Sequence, residues 1–203
     1  GMPRFYNERG QETLGDFNFS SSNINFLKYS GTLDPTDVGT LTNTFRYKNF
    51  SLSANINYEF GAVTRLRSIT NTDDYSAFPR ELTQRWKKPG DEKHTDIPRL
   101  PTSYAFDQYG ADNLINAYYA YGASTARIVS TDFIRLKEIS MEYTVSKTLL
   151  RRTPLKNLAV KLQAQNLMLL YSDARLRGDD PEYMYSSSVT APKKLILTLR
   201  VGL

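Results

Sequence analysis

The sequence predicts an all-β fold, an antiparallel meander of five or six strands that forms part of a large transmembrane β-barrel. Three observations support this prediction. Apolar residues alternate with polar ones at period two in five segments, as in strands with two different faces. These segments approach the roughly 9–11 residues that cross a bilayer when a strand is tilted. Short and long connections alternate strictly between them, as in barrels with short turns on one side of a membrane and long loops on the other.

The end of the chain, residues 194–203, gives the clearest strand. One side of it is apolar and consists of Leu195, Leu197, Leu199, Val201 and Leu203. The same alternation recurs in segments 158–165, 138–145 and 52–60, and a shorter strand over 44–48 precedes the last of these. Each of these segments predicts a strand with one apolar face.

The connections divide the chain into regions. Only Lys48-Asn49 separates two strands near the start, so we expect a tight hairpin over residues 40–60. Residues 61–130 form a connection far longer than the ~12–15 residues of an ordinary loop, and short helices are expected at 77–87 and 113–121. Residues 1–39 are expected to hold a loop and one possible strand. Residues 131–203 hold the last three strands, with a short link at 146–157 and a longer one at 171–192.

A soluble β-sandwich would give the same period-two signal, because one face of each of its sheets is buried. The pattern alone therefore leaves two alternatives open, a barrel and a sandwich that binds carbohydrate. The strongly polar alternate positions Lys161, Gln163 and Gln165, set against a face of Leu, Val and aromatic residues, favour the barrel.

Composition excludes several other classes. With 40% hydrophobic and 12% aromatic residues, the chain has enough apolar side chains to form a core. The net charge of +5 is too small to indicate a nucleic-acid-binding protein. There is no Cys, and His94 is the only His, so a zinc site or a Ser-His-Asp triad would have to rest on that one imidazole, and no second His completes the common zinc ligand sets.

Two groups of acidic residues are candidates for a metal site or a catalytic site. Asp91, Glu92 and Asp96 lie near His94, but their spacing matches no calcium loop, and a solvated loop is the preferred interpretation. The segment 179–182 (DDPE) resembles a glycosidase carboxylate pair only superficially, because adjacent aspartates point in different directions. We therefore expect neither metal binding nor catalysis.

An ordered series of motifs resembles the SusC/RagA-type TonB-dependent outer-membrane transporters of Bacteroidetes. The matching segments are 31–36 (GTLDPT), 42–52 (TNTFRYKNFSL), 86–91 (WKKPGD) with 96–98 (DIP), 124–125 (ST), 132–143 (DFIRLKEISMEY), 165–167 (QNL), 180–182 (DPE) and the last strand. Each motif is weak alone, but all of them occur in the order of the family. The chain departs from the family at Leu203, where an aromatic residue is usual.

The resemblance implies that residues 1–203 are the C-terminal segment of a receptor barrel of about 22 strands with a plugged lumen. The region 61–130 would then be an extracellular loop, and the plug and the TonB-binding segment would lie upstream. The implied function is import of oligosaccharides or peptides across the outer membrane of a Gram-negative bacterium. The implied partners are a SusD-like surface lipoprotein, the TonB complex and outer-membrane lipid. No cofactor, no nucleic acid and no enzymatic reaction is implied.

Aromatic side chains in the long connection are the candidate contacts for a substrate or a partner. The connection is too rich in them for a flexible tether, so we expect an ordered surface. The candidates are Trp86, Tyr104, Tyr109, Tyr118, Tyr119 and Tyr121. Trp86 could instead pack with Leu82 on the helix expected at 77–87, and nothing in the sequence separates the possible roles of the tyrosines.

Overall fold

Stretches of alternating apolar and polar residues form the strands of one five-stranded sheet, and the other described residues form helices, short strand pairs and loops. The structure is a computed structural model that describes residues 1–7, 9–14, 27–66, 80–184 and 190–203. In chain order, the described strands and α-helices are β1 (Phe5–Tyr6), β2 (Glu12–Thr13), β3 (Asp37–Tyr47), β4 (Phe50–Phe60), β5 (Val63–Arg65), α1 (Ser103–Tyr109), α2 (Ala111–Ala123), β6 (Ile128–Ser130), β7 (Phe133–Thr144), α3 (Lys147–Leu150), β8 (Asn157–Ser172) and β9 (Lys194–Gly202).

The chain forms two compact units. Residues 1–31 and 64–129 make up the helical unit, and residues 32–63 and 130–203 make up the sheet unit. The long connection expected from the sequence therefore contributes most of the helical unit. No described helix has both the length and the apolar character needed to span a membrane.

The sheet unit contains a five-stranded sheet in the order β3-β4-β7-β8-β9, and every neighbouring pair is antiparallel. This confirms the predicted all-β class and the predicted meander. The two-residue turn is also confirmed, since Tyr47 pairs with Phe50 and Lys48 takes a positive φ of 51°. Strand β8 is longer than the sequence indicated and continues to Ser172.

The sheet is irregular along its third strand, where β7 shifts register against both β4 and β8. The register between β4 and β7 shifts after Asn55, so that Asn55 faces Glu138 while Ile56 faces Leu136. Lys137 is thus the extra residue of a bulge, which bends the strand and changes which residues share a face.

The helical unit is held together by two apolar clusters. One contains Leu14, Ala105, Leu114, Ala117 and Tyr118. The other contains Leu82, Ile97 and Tyr121. Helix α1 begins after Thr102, whose hydroxyl accepts a hydrogen bond from the amide of Ala105. Both clusters draw on α1 or α2, so the helices supply most of the core of this unit.

The helix expected at 113–121 is confirmed and extends over Ala111–Ala123, whereas α1 was not anticipated. The helix expected at 77–87 is wrong at its end. Residues 77–79 lie outside the described residues, and Arg80–Gln84 form a 3₁₀ helix that stops before Trp86. The amide of Trp86 donates instead to the carbonyl of Ile97 (2.9 Å), so a tertiary hydrogen bond replaces the next helical one.

Candidate functional site

Apolar side chains form continuous rows across all five strands of the sheet. Phe45 faces Leu52, Leu52 faces Met141, Met141 faces Leu162, and Leu162 faces Leu197. These side chains are solvent-exposed despite their chemistry, and Leu197 is 71% exposed. An exposed apolar surface of this extent is typical of a protein face that contacts lipid or another protein. We call it the apolar face.

Aromatic residues lie at both ends of the apolar face. At the end beside the Lys48-Asn49 turn, Tyr47, Phe50 and Tyr143 are paired neighbours on adjacent strands. At the other end, the rings of Tyr58 and Phe60 stack with their centroids 5.4 Å apart. Aliphatic side chains such as Ile56 and Ile139 fill the strands between. An aliphatic band between two aromatic girdles is the usual pattern on the outside of a membrane-spanning sheet.

The opposite face of the sheet is polar. Glu138 on β7 accepts hydrogen bonds from Gln163 (2.9 Å) and Gln165 (3.0 Å) on β8. On the first two strands, Asn55 donates to the hydroxyl of Thr42 (2.9 Å). These bonds join neighbouring strands through side chains, so the polar face is an ordered surface suited to contact with water or polar solutes.

A network of charged groups lies near the place where β4 ends and β7 begins. Arg135, whose side chain is 9% exposed, contacts the carboxylates of Asp180 and Glu182, with 2.8 Å between its Nε and Oε2 of Glu182. Lys137 lies 3.4 Å from the second oxygen of Glu182. These contacts attach the 3₁₀ turn Pro181–Tyr183 to β7. They are stabilising because a buried guanidinium without a charged partner is costly.

A cavity of about 310 Å³ lies next to this network. Apolar residues form most of its wall, with two carboxylates among them; the lining consists of Leu33, Pro35, Glu59, Ala62, Thr131, Phe133, Pro181 and Glu182. The carboxylate of Glu182 contacts Arg135 and Lys137, whereas the side chain of Glu59 makes no hydrogen bond or ion pair within the described part of the chain. Sequence reasoning did not find this cavity, because its wall comes from segments far apart in the chain.

The aromatic candidates in the helical unit fall into two groups. Tyr104 and Tyr119 are 70% and 67% exposed, and Tyr109 is partly exposed. Tyr118 and Tyr121 are buried and belong to the two apolar clusters. The structure therefore does not bring all the candidates together on one surface, and binding at any of them stays a prediction.

Trp86 is half-buried and is held at both ends of its ring system. Its indole N–H donates to the carboxylate of Glu92 (3.0 Å), and Gly1 lies so close to the ring that a Cβ there would collide with it. Trp86 therefore packs within the helical unit. Its hydrogen-bond partner is Glu92, and it does not share a helix with Leu82 as expected.

The acidic residues near His94 stabilise their own loop. Asp91 accepts hydrogen bonds from the backbone amides of Lys87 (3.0 Å) and Lys88 (3.1 Å), and these bonds hold the pKa of Asp91 below its usual range. In the described parts of the chain, no group of three or more His, Asp or Glu side chains is arranged to hold a metal ion.

An ion pair that the sequence did not indicate lies in the core of the helical unit. Arg127 donates from both Nη atoms to the two carboxylate oxygens of Glu81, each at 2.8 Å. The guanidinium also lies 5.4 Å from the ring centroid of Tyr121. The partners are 46 residues apart in sequence, so no local motif could have revealed the pair.

Tyr118 makes the stability of the helical unit depend on pH. Its hydroxyl donates to the backbone carbonyl of Arg99, and burial raises the pKa of Tyr118 to about 12. The unfolded chain ionises this phenol near pH 10 while the folded chain keeps its proton. The contribution of Tyr118 to the free energy of unfolding is therefore constant below about pH 10 and falls as the pH rises toward 12.

We expect Tyr118→Phe to reduce this alkaline loss of stability, because phenylalanine has no proton to release. Urea denaturation at a series of pH values from neutral to 12 measures the effect. Tyr119→Phe is the matched control, since Tyr119 is exposed. Equal alkaline losses in Tyr118→Phe and in the unmodified chain would contradict the assignment.

The fold was compared with known proteins. No protein-family model matches the chain, and no curated protein matches it in sequence. Among solved structures, a chain of the RagAB peptide importer in its open-open state is 19% identical, with a TM-score of 0.57 over 87% of this chain and 18% of that one. The closed-closed state gives 20% identity, a TM-score of 0.54 and coverages of 88% and 18%.

A further structure, of the RagAB peptide transporter, is 22% identical with a TM-score of 0.52, over 76% of this chain and 15% of that chain. At such identities the similarity is one of fold. The chain thus has the fold of a segment of these RagAB chains and spans less than a fifth of the length of each.

Proposed function

We propose that the chain is the C-terminal barrel segment of an outer-membrane TonB-dependent transporter of the SusC/RagA type. The observation that carries this proposal is the exposed apolar face bounded by aromatic rows at both of its ends. From Phe50 to Phe60 the strand rises about 33 Å, or about 25 Å along the membrane normal at a tilt of about 40°. That height equals the apolar band of an outer-membrane barrel.

The polar face supports the same proposal. In a barrel it would line the lumen, where polar side chains meet water and solutes. The ladder of Glu138, Gln163 and Gln165 would then be part of the lumen wall. A soluble carbohydrate-binding sandwich is the second candidate, but it would need a second sheet to cover Leu195, Leu197 and Leu199, which are exposed.

The proposal extends to the transported substrate and to the partner proteins. The ordered motifs of the sequence and the fold shared with RagAB peptide importer chains support import of peptides or oligosaccharides. A SusD-like lipoprotein would contact the helical unit, and the exposed rings of Tyr104 and Tyr119 are the side chains best placed for that contact. Energy would come from TonB through upstream parts of the protein.

Single cysteines test the proposal, since the chain has none of its own. With the C-terminus in the periplasm, strand parity leads us to expect the 145–156 link in the periplasm and the 173–184 segment outside the cell. In the full-length gene product, we expect Asp179→Cys to react with an impermeant maleimide on intact cells and Thr153→Cys to react only after lysis. Labelling in the opposite sense would reverse the topology, and recovery of the protein in the soluble fraction would favour the sandwich.

A further inference from the structure

One end of the sheet carries a concentrated positive charge. We call it the basic end, and it comprises the 48–49 turn and the 145–156 link. It contains five cationic side chains and no acidic one; these are Lys48, Lys147, Arg151, Arg152 and Lys156. All five are exposed, and none of them forms an ion pair with another residue that the structure describes. Five like charges without counterions repel one another, so the basic end is suited to an external anionic partner.

The turn and the link lie side by side. Asn49 and Thr144 exchange two hydrogen bonds, one from the Asn49 side chain to the Thr144 carbonyl (2.6 Å) and one from the Thr144 amide to the Asn49 carbonyl (2.9 Å). The link is tied to the last strand as well, through the amide of Lys156 and the carbonyl of Gly202 (2.8 Å). The cations thus belong to one end of the sheet.

The basic end directly adjoins the apolar face. Tyr47, Phe50 and Tyr143 lie at this boundary, and Lys48 places its ammonium 5.2 Å from the ring centroid of Tyr47. In the link, Leu149 is 66% exposed beside the cations. This order matches that of a membrane interface. Basic side chains lie at the level of the headgroups, aromatic rings at the interface, and apolar side chains among the acyl chains.

The opposite end of the sheet differs in charge. Its 173–184 segment has four acidic and two basic residues. Three of its four carboxylates are matched within the protein, Asp173 by Arg175 (2.8 Å) and two others by Arg135. The 173–184 segment is therefore net negative and largely paired within the protein, whereas the basic end is positive and has no ion pair among the described residues.

We propose that the basic end binds the phosphate groups of anionic phospholipids in the bilayer that receives the apolar face. This inference rests on the proposed membrane function. Each Lys or Arg close to an anionic surface strengthens binding several-fold, so a group of four or five gives a strong preference for anionic lipid. The effect weakens with salt, because exposed charges are screened.

Vesicle flotation of the full chain tests this proposal. The probes are vesicles of phosphatidylcholine alone and vesicles that also contain phosphatidylglycerol, at low salt and at about 0.5 M NaCl. We expect a salt-sensitive preference for phosphatidylglycerol that Arg151→Gln/Arg152→Gln lowers about tenfold or more. Lys193→Gln/Lys194→Gln is the control, since it removes two exposed cations at the other end of β9. Arg151→Lys/Arg152→Lys should keep the preference and shows that the link tolerates substitution.

The outcomes are distinct. Equal binding to both kinds of vesicle would overturn the lipid inference and leave the membrane proposal intact, whereas binding to neither would remove both. Equal losses in the two glutamine variants would show an effect of net charge alone. Competition by millimolar inorganic phosphate would show a site for soluble anions, which also overturns the inference.

Discussion

Glu81→Ala is expected to lower the free energy of unfolding of the helical unit by about 3–5 kcal/mol. The substitution leaves the guanidinium of Arg127 without its main counterion in a site where its side chain is 2% exposed. Both 2.8 Å hydrogen bonds to this carboxylate are lost together, and the hydroxyl of Tyr121, which lies 3.4 Å from the guanidinium, carries no charge. Removing the carboxylate that pairs with a buried guanidinium is among the most costly changes that a single substitution can cause.

Fluorescence of Trp86 during urea denaturation reports on this unit, because Trp86 is the only tryptophan and lies in it. Glu12→Ala is the matched control. Glu12 pairs with Arg4 at 3.8 Å on the surface, where such pairs contribute about 0–1 kcal/mol. The double substitution Glu81→Leu with Arg127→Met should recover much of the loss by removing both charges. A loss in Glu81→Ala no larger than that of the control would contradict the structural role of the pair.

Leu197→Arg is expected to cost about 2–4 kcal/mol of stability in a bilayer, because it places a charge among the leucines of the apolar face. Leu197 lies between Leu195 and Leu199 and faces Leu162 on the next strand. Thr198→Arg is the control on the same strand, as Thr198 lies on the polar face opposite Lys161.

The amount of folded, protease-resistant protein recovered in lipid vesicles measures both variants. We expect the Leu197→Arg protein to be strongly reduced and the Thr198→Arg protein to be near the unmodified level. The reverse result would assign the polar face to lipid and would contradict the proposed orientation. Similar recovery of both variants in the absence of lipid would point to a soluble fold.

The strands and the hairpin could be predicted from the sequence because they depend on local chemistry. Successive side chains of a strand point to opposite faces, so the alternation in β9 defines its two faces without any partner. The two-residue link of Lys48-Asn49 similarly leaves only a tight turn. The bulge at Lys137 escaped prediction, since a register shift depends on both neighbouring strands.

The burial of the tyrosines could be predicted in part from the sequence. Leu114, Ala117, Tyr118 and Tyr121 are spaced as one stripe of a helix, and this spacing could have separated Tyr118 and Tyr121 from the exposed Tyr119. The position of Trp86 could not be predicted from such spacing. The 3₁₀ helix before it ends at Gln84, and the amide of Trp86 donates to the carbonyl of Ile97, 11 residues farther along the chain.

The sequence by itself determined the class of the fold, the two faces of each strand and the positive charge of the 145–156 link, because these follow from the order of side chains along the backbone. The tertiary structure alone decided the pairing of Arg127 with Glu81 and of Arg135 with Asp180 and Glu182. Such partners are 45 to 47 residues apart. Their attraction becomes strong only when folding removes both groups from water, and no local sequence pattern encodes that burial.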